Sequence, residues 1–199
     1  MRVLGIDCGT EYTGYGIVDL LTDDCVDHRG KDRRGKGQRG SDRLACVVCG
    51  AIKVSPREPM PTRLSHIARA LEELISLHRP DRVAIEDVFY ALNVKSALKL
   101  GQVRGVAMLT AASAGLEVAE YSPLSIKSAV VGYGKAEKHQ VQQMVARLLR
   151  LDEIPQPADA ADALAIAICH LHTAATLDRQ KAASHDPRAP RMPSRKFAT

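Results

Sequence analysis

Tryptophan is missing from this 199-residue chain, and two phenylalanines and five tyrosines are its whole aromatic complement. The composition is otherwise that of a soluble globular protein, long enough for one domain with a sizeable core. No apolar run approaches the roughly 18 residues of a membrane span, which excludes a membrane-spanning reading. The start has no long apolar region behind a basic residue, so no secretory leader is expected. Cysteine is scarce too. Five cysteines, an odd number at irregular spacing, fit a reducing, cytoplasmic location better than a disulfide framework.

What charge excess there is, +5, is unevenly spread. Residues 21–43 and 178–199 together hold 13 bases and 7 acids, leaving 15 bases and 16 acids for the rest. The body is therefore near neutral, and the basic segments are candidates for phosphate contact by counterion release. Residues 21–43 read as an inserted charged hairpin loop, since His28 to Gly40 offers no apolar residue to bury. Residues 178–199, with Pro187, Pro190 and Pro193 among basic residues, read as a disordered tail on a domain spanning 1–177.

The chain is organised around Val3-Leu4-Gly5-Ile6-Asp7-Cys8-Gly9. A short apolar run ending in a carboxylate reads as a buried strand that delivers Asp7 to the carboxyl edge of a sheet. Gly14 and Gly16 are read as marking the chain's return into a second strand, Thr13 to Asp19, and Cys46 to Val54 as a third, antiparallel to it. A helix from Pro61 carries Leu64, Ile67, Leu71, Leu74 and Ile75 on one stripe and stops at Arg79-Pro80. Arg82 to Glu86 repeats the strand-then-carboxylate pattern. A helix over about Val94–Ala114 has Leu98, Val103, Val106 and Leu109 in its apolar pattern, and Gly101 and Gly105 on one face could admit another helix. Glu117–Tyr121 is a fifth strand; Pro123–Val131, Glu137–Leu151 and Asp159 to about Thr176 are helices.

Cys25-x-x-His28 and Cys46-x-x-Cys49 flank the charged loop with the spacing of a zinc ribbon. The strand assignment argues against it, because residues three apart on a strand point to opposite faces. The acids are more informative. Asp7 and Glu86 end strands, and Asp159 with Asp162 opens a helix, where residues three apart share a face. Capping and the helix dipole account for one Asp there, and less fully for two beside alanines that would leave room for a bulky substrate. Four such acids in one place would need hard cations such as Mg²⁺. Two ions about 4 Å apart suit in-line phosphoryl displacement, so the residues alone point to a Mg²⁺-dependent phosphodiester hydrolase.

Five blocks, in order, resemble the RuvC family of bacterial Holliday-junction resolvases. They are Gly5-Ile6-Asp7-x-Gly9-x-x-x-Thr13-Gly14-Tyr15-Gly16; Ala84-Ile85-Glu86-x-Val88-Phe89; Ser96 to Val106; Val130 to Val141; and Ala158 to Ala167. The resemblance implies an α/β, ribonuclease H-like fold with a five-stranded mixed sheet flanked by helices. It implies a homodimer that nicks opposing strands of four-way junction DNA, leaving 5′-phosphates, alongside the RuvA–RuvB branch-migration complex. By motif, Asp7, Glu86, Asp159 and Asp162 would be the catalytic carboxylates holding two Mg²⁺. Phe89 would meet an unpaired base, and Lys127 and Lys138 would face DNA phosphates. Cys8 stands where the family usually has Pro, a change expected to loosen the turn without moving Asp7. His170 and His172 are secondary candidates, since some members use a His among the acids.

Asp7-x-Gly9-Thr10 also resembles the first phosphate loop of actin-like ATPases, but no second phosphate loop follows. The remaining alternatives are a catalytically impaired junction-binding protein and a ribonuclease H-like nuclease acting on RNA-containing or other branched substrates.

Overall fold

Side chains alternate across a strand, so each strand here sorts its residues between two cores. The computed structural model describes residues 1–21, 43–87 and 94–184. In β1 (Arg2–Asp7), Leu4 and Ile6 enter one core while Val3 enters the other. In β4 (Arg82–Glu86), Val83 and Ile85 follow the first set and Ala84 the second. With β2 (Tyr12–Leu21), β3 (Arg43–Lys53) and β5 (Glu117–Tyr121) they form one sheet in the order β3-β2-β1-β4-β5. The β1–β2 and β2–β3 pairs are antiparallel; β1–β4 and β4–β5 are parallel. The sheet is mixed and five-stranded, as the resemblance implied.

One face carries α1 (Met60–His78) and α2 (Val94–Ser113), whose Ile67, Leu71, Val103 and Ala107 pack on Leu4, Ile17, Val83 and Ile85. Of the four residues in the apolar pattern of α2 only Val103 is fully buried; Leu98 and Leu109 are 65 % and 68 % exposed. The opposite face carries α3 (Pro123–Val131), α4 (Lys138–Leu149) and α5 (Ala158–Ser184). Ser122 caps α3 by accepting a hydrogen bond from the Ser125 N–H at 3.1 Å, and α4 starts with a capping box between Glu137 and Gln140. α5 continues past Thr176 to Ser184, into the segment expected to be tail.

α5 lies unusually close to the sheet. A Cβ on Gly5 would stand 2.0 Å from the Ala163 carbonyl oxygen, and one on Gly14 would stand 2.1 Å from the Asp159 carbonyl oxygen. Gly5 and Gly14 are therefore a seat for a helix, and Gly14 and Gly16, expected to mark a turn, lie inside β2. The helix answers with small residues: Ala160, Ala161, Ala163 and Ala167 have no exposed surface. The alanines beside Asp159 and Asp162 thus pack against the protein instead of clearing space for substrate.

The two cysteines of β3 correct the geometric objection raised above. The β2–β3 register slips between Ile17 and Val18, which pair with Val48 and Cys46, so Val47 is an extra residue on β3. This bulge puts Cys46 and Cys49 on the same face, both packed against the α5-side core. Burial and the neighbouring Cys49 push the Cys46 thiol up to about 12, which disfavours the thiolate a metal needs. Cys25 and His28 lie outside the described residues, as do Phe89 and most of the charged loop.

Because the obstacle at Gly5 is helix backbone, Gly5→Ala cannot be relieved by a rotamer change. The variant is expected to lose at least about 1–3 kcal/mol of unfolding free energy. A urea denaturation midpoint equal to that of the unaltered chain would contradict the close seating of α5.

Candidate active site

Chain topology alone brings three elements to one edge. β1 and β4 run parallel with Ile6 opposite Ile85, so Asp7 and Glu86 leave neighbouring strand ends. Asp7 is also paired with Gly14 of β2, and the first turn of α5 rests on that glycine. Asp159 and Asp162 therefore arrive beside Asp7 because α5 can touch the sheet at Gly14.

Asp7, Glu86 and Asp162 line one cavity of about 240 Å³, together with Lys127 of α3 and Lys138 of α4. Its other wall is apolar, from Pro123, Ile126, Val141, Ala165 and Ile166. Asp159 is not part of the lining, but its charge acts on Asp7. Six of the seven expected site residues are thus gathered here; Phe89 is outside the described residues. Spacing gave no sign of the apolar wall, because its residues come from three helices that only the tertiary fold brings together.

Electrostatics confirm how crowded the acids are. Burial pushes the Asp7 carboxyl up to about 7, with further upward pressure from Asp162, Glu86 and Asp159. Glu86 is also raised, chiefly by burial and then by Asp162, with Lys127 and Lys138 opposing. Lys138 donates from Nζ to Asp162 Oδ2 at 2.6 Å, and this contact raises the lysine. The Lys138 ammonium already balances part of the negative charge. Among the described residues no three metal-ligating side chains close on a single point.

Cys8 leaves Asp7 in place. Following the alternation of β1, its side chain packs on the α1/α2 side, where burial and then Asp7 push its thiol up to about 12. The two histidines lie elsewhere. His170 Nδ1 is 2.9 Å from the Tyr121 hydroxyl, and His172 Nδ1 is 3.0 Å from the Ala129 carbonyl oxygen. Eight or more residues of helix, about 12 Å at 1.5 Å per residue, separate them from Asp162, and neither lines the cavity.

The raised Asp7 makes a signed prediction for the metal-free protein. Its folded pKa lies above its unfolded value, so its contribution to stability is full below about pH 4 and is lost as pH rises through about 7. Asp7→Asn removes that loss. Above pH 7 without divalent ions, the variant should melt higher than the unaltered chain, by about 2–4 °C per kcal/mol of repulsion removed. Differential scanning calorimetry from pH 5 to 8 checks it; identical melting curves at pH 8 would contradict it.

Comparison with known proteins agrees with this architecture. The family model for crossover junction endodeoxyribonuclease RuvC matches residues 35–170. Asp7 lies before that interval, so its placement rests on the geometry just described. The crossover junction endodeoxyribonuclease RuvC of Koribacter versatilis is 60 % identical over 182 residues, covering 92 % of this chain and 99 % of the relative. That of Acidobacterium capsulatum is 53 % identical over 181 residues, covering 91 % and 99 %. The solved structure of Thermus thermophilus RuvC superposes with a TM-score of 0.74 at 32 % identity, over 88 % of this chain and 96 % of that one. The same protein in complex with a Holliday junction substrate gives 0.73 at 30 %, with the same coverage. A family model that spans most of the fold, and relatives alike along nearly their whole length, lead to one assignment: the chain belongs to the RuvC family of crossover junction endodeoxyribonucleases.

Proposed function

We propose that this chain resolves four-way DNA junctions by metal-dependent hydrolysis of phosphodiesters in opposing strands. The observation that carries this reading is the convergence of Asp7, Glu86 and Asp162 on one cavity with Lys127 and Lys138 at its side. The donor set fits a hard divalent cation: it is all oxygen, and burial, with the neighbouring acids adding to it, pushes the Asp7 carboxyl up to about 7. Asp7, Glu86, Asp159 and Asp162 would hold two Mg²⁺, which when bound neutralise the acids and lower the pKa of attacking water.

The protein's own groups supply the remainder. Lys138 is to exchange Asp162 for a substrate phosphate once the acids are neutralised, and Lys127 is to hold the phosphate on the Glu86 side. The apolar wall excludes water from the far side of the site. Phe89 is assigned to an unpaired base at the crossover, following the family resemblance. The basic residues of the inserted loop 21–43, within the 1–177 nuclease domain, and of the tail 178–199 add salt-sensitive affinity. Cytoplasmic action beside a RuvA–RuvB branch-migration complex belongs to the same reading.

Paired nicking requires two active sites, and α2 offers a face on which to assemble them. Val94, Leu98 and Leu109 are 74 %, 65 % and 68 % exposed and lie on one side of the helix with Gly101 and Gly105. Open space lies over both glycines, so another helix could approach closely. This face supports a homodimer through α2. Leu98→Glu with Leu109→Glu should convert the protein to monomer in sedimentation velocity; a persistent dimer would remove α2 as the interface.

The functional reading is tested with a labelled four-way junction, linear duplex and RNA–DNA hybrid, each with Mg²⁺. Paired nicks in the junction alone are expected. Glu86→Gln should cut roughly 10²–10³-fold more slowly, from several kcal/mol of lost transition-state stabilisation, while still binding the junction. Preferential cutting of the hybrid would support the RNA-directed alternative. Binding with no cutting by the unaltered protein would support the impaired junction binder.

A further inference from the structure

Arg104 of α2 does not line the carboxylate cavity, yet its guanidinium reaches the ends of β4 and β5 beneath it through Nε and Nη2. Its side chain is only 17 % exposed. Nε donates to the main-chain oxygen of Glu86 at 3.2 Å. Nη2 meets Glu120 Oε2 and lies 3.5 Å from Asp87 Oδ1, and Nη1 lies 3.8 Å from Met108 Sδ. The N–H of Asp87 donates to the Tyr121 carbonyl oxygen at 2.8 Å. One peptide unit, the one joining Glu86 to Asp87, is thus held from both sides: its oxygen by Arg104 and its N–H by β5.

That peptide decides where Glu86 points. With its plane fixed, the backbone torsion after the Glu86 Cα is fixed, and with it the direction of the Glu86 Cβ toward Asp7 and Asp162. Arg104 acts through the backbone and not through its charge. The forces that shift Glu86 come from burial, Asp162, Lys127 and Lys138, and Arg104 is not among them. Guanidinium chemistry suits the task, because one planar fork can meet the Glu86 oxygen and the two carboxylates together, whereas an ammonium has no such planar fork.

We propose that Arg104 is a positioning residue that aims Glu86 at the metal site by clamping the Glu86–Asp87 peptide. This rests on the reading of Glu86 as a metal ligand. Residues that orient metal ligands without touching the metal typically change affinity by about 10- to 100-fold when removed, and a loss in that range is expected here.

The test uses the full chain and Mn²⁺ as probe. Calorimetric titration should show Arg104→Met binding Mn²⁺ about tenfold or more weakly, with Arg104→Lys in between. Glu120→Gln keeps the bond to the Glu86 oxygen and should bind Mn²⁺ as the unaltered chain does. Junction affinity measured in EDTA should be the same for all of them, a readout that general loss of structure would not spare. Unchanged Mn²⁺ affinity in Arg104→Met, with loss in Glu86→Gln, overturns the positioning role alone. Unchanged affinity in both overturns the ligand assignment of Glu86 and the proposal with it. Equal losses of Mn²⁺ binding and metal-free junction binding in Arg104→Met, with no rescue by Arg104→Lys, mark Arg104 as merely structural and also overturn it.

Discussion

The contact between α5 and the first two strands is the constraint from which the site follows. Helix backbone meets sheet backbone across Gly5 and Gly14, with no room for a methyl group at either. Only at that separation does the first turn of α5 reach the end of β1. A helix held at the usual distance by intervening side chains would carry Asp159 and Asp162 several ångströms away from Asp7. The buried alanines of α5 contribute little apolar area each, so their value lies in letting the backbones approach. The small residues thus serve placement first and cohesion second.

Placement has a cost in electrostatics. Burial and three neighbouring acids hold Asp7 partly protonated near neutrality, and Lys138 folds over Asp162. The site is strained toward accepting positive charge, and divalent ions or the protein's own lysine can answer it. The same lysine that steadies the acids is in position to meet a phosphate once they are neutralised. Stability and function oppose one another at Asp7, as is common where ionisable groups are assembled for chemistry.

Much of this was legible in the chain. Arg82–Glu86, Glu117–Tyr121 and Pro123–Val131 were bounded correctly because turn residues and apolar runs mark them sharply. The acids could be nominated because each ends a strand or opens a helix. Their convergence could not be derived from spacing, since it depends on Gly5 and Gly14 admitting helix backbone, and Gly14 reads locally as a turn residue. The β3 bulge was equally hidden: a one-residue slip in pairing partners reverses the facing of Cys46 without any local signal in Cys46-Val47-Val48-Cys49. Leu98 and Leu109 fit a helical apolar pattern, but only the packed fold shows that they face outward. Arg104 stood in a recognised block with no role attached, because its target is a main-chain oxygen 18 residues away.

Everything proposed for this site requires the four carboxylates to converge on bound metal. Anomalous diffraction from crystals of the full chain grown with Mn²⁺ measures that directly. Peaks within coordination distance of Asp7, Glu86 and the Asp159/Asp162 pair, with Lys138 withdrawn from Asp162, are the predicted result. Mn²⁺ bound elsewhere, with Lys138 still on Asp162 and the acids without metal at saturating concentration, would contradict it.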